Sequence, residues 1–134
     1  MNISKPVIFY NKEKVPSSAK LVEAFDGSLR ELFFINNPQF KKGMPGAEKP
    51  LSDFLNNHGI TEVWIYYPWS DIAVHCVPED IYLKLRTARN RNIISEDEQQ
   101  KYRNMKIGIA GLSVGSAVLS ALVISGGPQK LKIA

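Results

Sequence analysis

The stretch from residue 105 to residue 116 reads Met-Lys-Ile-Gly-Ile-Ala-Gly-Leu-Ser-Val-Gly-Ser, and the apolar segment 117–125 follows it. Small and β-branched residues lead into a glycine turn, and a small-residue pattern of helical type leads out of it. In this order of strand, turn and helix, an α/β sheet presents backbone N–H groups and a helix N-terminus to a phosphate. We therefore predict a phosphate-binding loop here.

The glycine spacing matches the dinucleotide-binding fingerprint in part. Gly108, Gly111 and Gly115 give G-x-x-G-x-x-x-G, whereas the fingerprint is G-x-G-x-x-G. If Gly115 is the third glycine, which lets helix and strand pack closely, the first two positions fall on Ala110 and Leu112. A plainer interpretation is that the glycines merely allow a tight turn beside a packed helix.

Residues 111–115 also fit G-x-S-x-G, the nucleophile elbow of α/β-hydrolases, which occupies the same strand–turn–helix geometry. In that fold the catalytic acid and histidine follow the serine along the chain. Residues 116–134 contain no Asp, Glu or His. A hydrolase triad therefore cannot be completed in this sequence.

Composition indicates an ordinary globular protein, since 44% of the 134 residues are hydrophobic and 22% are charged. The net charge of +4 is spread along the chain except for the basic segment 86–91, so we expect no nucleic-acid partner. A single cysteine, Cys76, excludes an internal disulfide and fits a reducing compartment. Without a signal-peptide core or an apolar span, we expect a cytoplasmic protein that does not enter a membrane.

The last residues, 130–134, alternate as Lys-Leu-Lys-Ile-Ala, which is typical of a strand. Parallel strands need neighbours and covering helices, so we expect a truncated chain. The predicted fold class is α/β. Residues 1–92 would form a small α+β module with a β-hairpin, and residues 93–134 would form the first βαβ unit of a truncated Rossmann-like domain.

Several short elements are expected before residue 60. Leu21, Val22 and Phe25 follow a serine cap at helical spacing, whereas periodicity does not separate strand from helix for the apolar run that ends before Pro38. The expected elements are an edge strand within residues 6–10, a short helix over 17–25 closed by 26–28, a strand or helix over 29–36, a loop over 41–50, and a helix over 52–59 that ends on a glycine.

The clearest pattern is a β-hairpin. Residues 61–67 and 72–77 are rich in β-branched and aromatic side chains and are separated by a four-residue turn. Both faces of the first strand are apolar, so helices should cover at least one of them. The aromatic cluster of Trp64, Tyr66 and Trp69 indicates either hydrophobic core or a peptide groove.

An amphipathic helix is expected over residues 78–89, and Ser95 with Glu98 forms a capping box that starts the next helix. His58 lies in the last turn of its helix, where it suits the helix C-terminus better than catalysis. His75 and Cys76 are adjacent in a strand and point to opposite faces, so they cannot form a Cys–His pair. Without C-x-x-C or H-x-x-x-H spacing, we predict no metal site in this chain.

The order of these motifs resembles the start of the ThiF-type fold, which belongs to ubiquitin-activating and related adenylyltransferases. The similar segments are Arg-x-Arg-Asn-Ile at 89–93, Glu-Gln-Gln at 98–100 and the strand–glycine–helix–strand run at 105–134. Within the family, the sequence is similar to a subgroup with Tyr-Tyr-Pro-Trp, here 66–69, and Arg-Thr-x-Arg-Asn-Arg, here 86–91. The resemblance implies a Rossmann-like domain that binds ATP and Mg²⁺, activates a carboxylate as an acyl-adenylate and often forms a homodimer.

The resemblance also implies roles for individual residues. An arginine that reaches the ATP phosphates across the dimer corresponds to Arg89 or Arg91. The ribose-binding acid and the Mg²⁺ ligands of the family would follow Ala134. The family's G-x-G-G-x-G reads Gly-Leu-Ser-Val-Gly here. The implied nucleotide-binding residues are Ala110, Gly111, Leu112, Ser113 and Gly115.

Three functions therefore remain as hypotheses. The first is the N-terminal part of an adenylyltransferase, inactive as this chain by itself, whose substrate is a carboxylate or the C-terminus of a ubiquitin-like protein or peptide. The second is a non-catalytic nucleotide-binding or scaffold protein. The third is an NAD(P)-dependent Rossmann oxidoreductase, which would share the strand–glycine–helix pattern.

Overall fold

The computed structural model describes residues 5–134, which form a mixed α/β protein with five α-helices and two sheets. The α/β class expected from the sequence is therefore confirmed. The chain folds as two compact units, Met1–Tyr82 and Leu83–Ala134. The domain boundary expected between residues 92 and 93 stays a prediction.

The first unit is built on a four-stranded sheet in the order β1-β3-β4-β2. Strand β2 runs parallel to β4, and the other neighbours are antiparallel. The strands are β1 (Val7–Phe9), β2 (Lys20–Glu23), β3 (Val63–Tyr67) and β4 (Ile72–Cys76). The edge strand within residues 6–10 and the β-hairpin are both confirmed.

The short helix expected over residues 17–25 is wrong, because this segment contains strand β2. The backbone N–H of Lys20 donates to the Asp71 carbonyl at 2.8 Å, and the N–H of Ala24 donates to the His75 carbonyl at 3.0 Å. Pairing with β4 outweighs the local serine cap, since strand preference depends on neighbours more than on sequence.

Residues 26–28 begin the next helix and do not close the previous element. Helix α1 covers Phe25–Asn36, which shows that residues 29–36 are helical, and it ends before Pro38 as expected. Its N-cap residue is Ala24, and Glu23, one residue earlier, accepts a hydrogen bond at Oε1 from the Phe25 backbone N–H at 2.8 Å. Helix α2 covers Glu48–Asn57, so the expected helix is confirmed but begins inside the expected loop.

Helix α1 covers one face of the sheet. The ring of Phe25 stacks on His75 of β4 with centroids 4.7 Å apart, and Phe33 contacts Phe54 of α2 at 5.8 Å. Trp64 is buried on the same face, which makes it a core residue, whereas Trp69 in the hairpin turn is exposed. The core therefore lies between the sheet and α1, and the opposite sheet face carries a cavity described below.

The second unit contains a parallel βαβ arrangement. Helix α3 (Glu79–Thr87) begins in the first unit and ends in the second. The elements that follow it are the 3-10 segment Ala88–Asn92, α4 (Glu96–Asn104), β5 (Lys106–Ile109), α5 (Gly115–Ile124) and β6 (Lys130–Ile133). Strands β5 and β6 pair in parallel, and the capping box of Ser95 and Glu98 is present at the start of α4. The predicted strand–turn–helix–strand order is thus confirmed.

Across residues 5–134, every helix lacks the combination of length and apolar character that crossing a bilayer requires.

Candidate functional site

The five residues predicted to bind a nucleotide lie together where β5 leads into α5. Strand β5 ends at Ile109 and α5 begins at Gly115, and residues 110–114 between them are exposed. Gly111 has a φ of 80°, a left-handed conformation that glycine adopts without the steric penalty of a side chain. The turn therefore has the backbone geometry that the glycine spacing indicates.

One amide of the predicted phosphate-binding loop, that of Gly111, is already occupied. Its N–H donates to the Ala134 carbonyl at 2.8 Å, and the Ala134 N–H donates to the Ile109 carbonyl at 3.0 Å. These two bonds continue the parallel pairing of β5 with β6 beyond Ile109. The Gly111 amide is thus part of the sheet ladder and does not point toward a ligand.

The next three amides are different. Among residues 5–134, the backbone N–H groups of Leu112, Ser113 and Val114 have no hydrogen-bond acceptor. The carbonyls of Leu112 and Ser113 accept hydrogen bonds from the Ser116 N–H and Ser116 Oγ, at 3.3 and 2.9 Å. At the N-terminus of α5, these three N–H donors therefore remain without an acceptor, whereas the two carbonyl acceptors are occupied. The helix dipole favours an anion at this end.

Gly115 lets α5 approach β5 closely. A Cβ at this position would lie 2.8 Å from Ile109 Cγ2, and Ile109 is buried. This is the close packing of helix on strand that the sequence predicts for the third glycine.

We expect Gly115→Ala to destabilise the second unit by about 1–2 kcal/mol, because Ile109 would have to move away from the new methyl group. Gly108→Ala is the matched control, since nothing lies within 4 Å of its Cβ position. Hydrogen exchange of the β5 amides, followed by mass spectrometry, measures both variants. Equal exchange rates in the two variants would show that the approach at Gly115 is not tight.

Arg89 and Arg91 do not meet the loop within one chain. Both arginines are exposed in the 3-10 segment, and Asn90 between them donates from Nδ2 to the Ser125 carbonyl at 3.1 Å. Ser125 follows the C-terminal end of α5, whereas the loop precedes its N-terminal end. Because α5 has ten residues, the two ends lie about 15 Å apart.

The segments 89–93 and 98–100 have a structural role that the sequence analysis missed. Asn90 also donates to Gln99 Oε1 at 2.7 Å, and Gln99 Nε2 donates to the Gly126 carbonyl at 3.1 Å. Tyr102 OH lies 3.0 Å from Ser125 Oγ. Asn90 and Gln99 thus satisfy the Ser125 and Gly126 carbonyls just after α5, which would otherwise lack partners, and Tyr102 bonds to the Ser125 side chain. The sequence feature that could have drawn attention to Asn90 is its position between Arg89 and Arg91.

A second cluster of side chains, in the first unit, surrounds His75. Its ring lies between those of Trp64 and Phe25, at 4.2 and 4.7 Å, and its Nδ1 is 2.6 Å from Glu23 Oε2. Nε2 lies 3.4 Å from Glu62 Oε2 without a hydrogen bond. Cys76 lines the cavity on the opposite sheet face, so the predicted separation of His75 and Cys76 is confirmed. This arrangement joins β2 to β4 through side chains.

Within the described part of the chain, no three His, Cys, Asp or Glu side chains converge to hold a metal ion. The absence of a metal site in the whole chain stays a prediction.

The Glu23–His75 pair predicts a loss of stability in acid. Partial burial raises the pKa of Glu23, but hydrogen bonds from His75 and the Phe25 N–H, with the charge of His75, lower the pKa below its ordinary value. When folding lowers the pKa of a carboxyl group, its ionised form stabilises the folded state at pH values above the pKa of the unfolded chain. This contribution disappears as the pH falls through the pKa of the folded state. We expect the first unit to lose stability as the pH falls below about 5.

Urea unfolding, monitored by the fluorescence of Trp64 and Trp69, measures this pH dependence. In Glu23→Gln, the free energy of unfolding should fall less steeply with decreasing pH. In the control Glu31→Gln, which changes an exposed residue of α1, the pH dependence should remain. An unchanged slope in Glu23→Gln would assign the acid sensitivity to other groups.

Fold and site together define a mixed α/β protein whose parallel βαβ unit presents an exposed glycine loop. No family model matches the chain, and no solved structure matches it. The chain is 32% identical over 71 residues to a protein of Mycobacterium tuberculosis described as "Uncharacterized protein MT1398". The match covers 53% of this chain and 10% of that relative, so the chain spans about a tenth of the relative's length.

Proposed function

We propose that this chain is the N-terminal part of a ThiF-like, ATP-dependent adenylyltransferase. The observation that supports this proposal is the set of three unpartnered amides, at Leu112, Ser113 and Val114, in an exposed loop at a helix N-terminus. Such amides and the helix dipole together bind phosphate groups. In this proposal the chain belongs to a Rossmann-like domain, and the loop 110–115 holds the phosphates of ATP.

The reaction would join the adenylyl group of ATP to a carboxylate, with release of pyrophosphate. The substrate would be a small carboxylic acid or the C-terminus of a ubiquitin-like protein or peptide. Mg²⁺ would be held by residues that follow Ala134, so this chain by itself would not catalyse the reaction. We further propose that the protein is cytoplasmic and has no nucleic-acid partner.

The two arginines require a partner in this proposal. Since Arg89 and Arg91 lie at the opposite end of α5 from the loop, they would act on ATP bound by a second copy of the chain in a homodimer. A planar guanidinium donates two parallel hydrogen bonds to phosphate oxygens and stabilises negative charge that develops during the reaction.

Isothermal titration calorimetry of the intact protein with Mg²⁺ and ATP tests the nucleotide site. Ser113→Glu would place a negative charge beside the unpartnered amides, and we expect a loss of about tenfold or more in ATP affinity. Ser120→Glu, an exposed position further along α5, is the matched control and should have little effect. Equal affinity of the two variants, or no ATP binding by the intact protein, would contradict the proposal.

The second candidate is a non-catalytic scaffold or nucleotide-binding protein. The Gly111 amide is already bonded to Ala134, which removes one donor and favours this alternative. Pyrophosphate exchange, assayed on the intact protein with carboxylate substrates, distinguishes the two. Titration with NADH and NADPH tests the oxidoreductase interpretation in the same calorimeter.

A further inference from the structure

The sheet face opposite His75 carries a cavity of about 750 Å³ in the first unit. This volume lies in the range of pockets that hold drug-sized ligands, and such pockets are mostly apolar with a few polar groups. The side chains that line it include Ile8, Ile65, Tyr67, Val74, Cys76 and Tyr82.

The strand register explains which side chains form the floor of the cavity. Ile8 of β1 pairs with Ile65 of β3, and Ile65 pairs with Val74 of β4, so these three side chains form an apolar row across the sheet. Paired residues lie on the same face because side chains alternate along a strand. Ile8 remains 55% exposed, which is unusual for a branched apolar side chain in a contiguous row.

One wall of the cavity is held in place by an aromatic contact. The ring of Tyr67 packs edge-on against Trp69 with centroids 5.3 Å apart. A wall that is ordered before binding reduces the conformational entropy that a ligand must remove. The cavity is therefore suited to an apolar body that lies along the sheet.

Charge at the cavity indicates the rest of the ligand. Lys5 lines the cavity, and among residues 5–134 it forms no ion pair. Glu79 also lines the cavity, but it already takes part in an interaction with another residue. One ammonium without an ion-pair partner among the described residues, beside an apolar floor, complements a single negative charge, whereas a dianionic phosphate would require further donors.

We propose that this cavity binds an amphipathic monocarboxylate, whose apolar body packs on Ile8, Ile65 and Val74 and whose carboxylate pairs with the Lys5 ammonium. The site is distinct from the glycine loop and does not require nucleotide. It goes beyond the proposed adenylyltransferase function, because binding here is measured without ATP.

Calorimetric titration of the chain with decanoate and with decanol separates the charge from the apolar body. We expect decanoate to bind about tenfold more tightly than decanol, since the ion pair with Lys5 adds about 1.4 kcal/mol. Lys5→Gln should lower decanoate affinity to that of decanol and leave decanol affinity unchanged. Lys14→Gln, an exposed lysine that does not line the cavity, should change neither.

Ile8→Ser tests the floor at a position exposed enough for folding to survive. Affinity for both decanoate and decanol should fall by about fivefold, because part of the apolar contact area is removed. Absence of decanoate binding by a chain with native tryptophan fluorescence would overturn the proposal. So would unchanged decanoate affinity in Lys5→Gln, or a dimer in sedimentation velocity that Ile8→Ser dissociates, since a second copy would then occupy this face.

Loss of ATP binding, by contrast, would contradict the adenylyltransferase proposal and leave the decanoate result intact. The two proposals therefore fail independently.

Discussion

Replacement of Leu29 by alanine is expected to lower the free energy of unfolding of the first unit by about 3 kcal/mol. Leu29 of α1 is 1% exposed, the most completely buried large side chain among the described residues. The substitution loses the transfer free energy of three aliphatic carbons and leaves a cavity that the helix and sheet cannot fully close. Urea unfolding followed by Trp64 and Trp69 fluorescence measures the change, since both tryptophans belong to this unit.

Leu21→Ala is the matched control, because Leu21 of β2 is 48% exposed. Its cost should be below about 1 kcal/mol, as for most surface substitutions. If the two variants lost equal stability, α1 would not pack on the sheet as described.

Gly127→Ala is expected to cost the second unit about 3 kcal/mol, at the upper end of overpacking effects. A Cβ at Gly127 would overlap the Leu122 carbonyl oxygen and would lie 2.8 Å from Tyr102 OH. The carbonyl cannot move away easily, because it accepts the Gly127 N–H at 2.9 Å and belongs to helix α5. Gly127 thus allows two backbone segments to approach closely at the end of α5.

Hydrogen exchange of the β5 amides is the measurement for Gly127→Ala. A loss of about 3 kcal/mol corresponds to roughly 100-fold faster exchange when exchange follows opening of the unit. Gly108→Ala, where the new methyl group meets open space, should leave the other β5 amides nearly unchanged. Similar exchange in both variants would mean that the turn after α5 yields without cost.

The two proposed sites bind different ligands, so variants of each site should have separate effects. Variants of the cavity, Lys5→Gln and Ile8→Ser, should alter carboxylate binding and leave ATP binding unchanged. Ser113→Glu should have the opposite pattern. A variant that altered both ligands would indicate coupling between the two units, and each measurement reports that outcome directly.

Local chemistry in the sequence determined several elements. Strands β3 and β4 follow from alternating β-branched and aromatic residues on either side of a short turn, and their pairing needs few residues between them. The capping box of Ser95 and Glu98 closes within one helical turn. The βαβ order around the glycine loop follows from the change of pattern at Gly111, together with the close approach that Gly115 permits. These features depend on neighbours in the chain.

Tertiary structure decided the features that depend on distant partners. Residues 20–23 form a strand because β4 supplies the hydrogen-bond partners, which no local pattern of serine and leucine reveals. The Gly111 amide is occupied because Ala134 reaches it across the sheet, and Asn90 places Arg89 and Arg91 at the far end of α5. Sequence patterns thus determined local hydrogen bonding and side-chain alternation, whereas the availability of each donor and charge depended on contacts that form when remote segments meet.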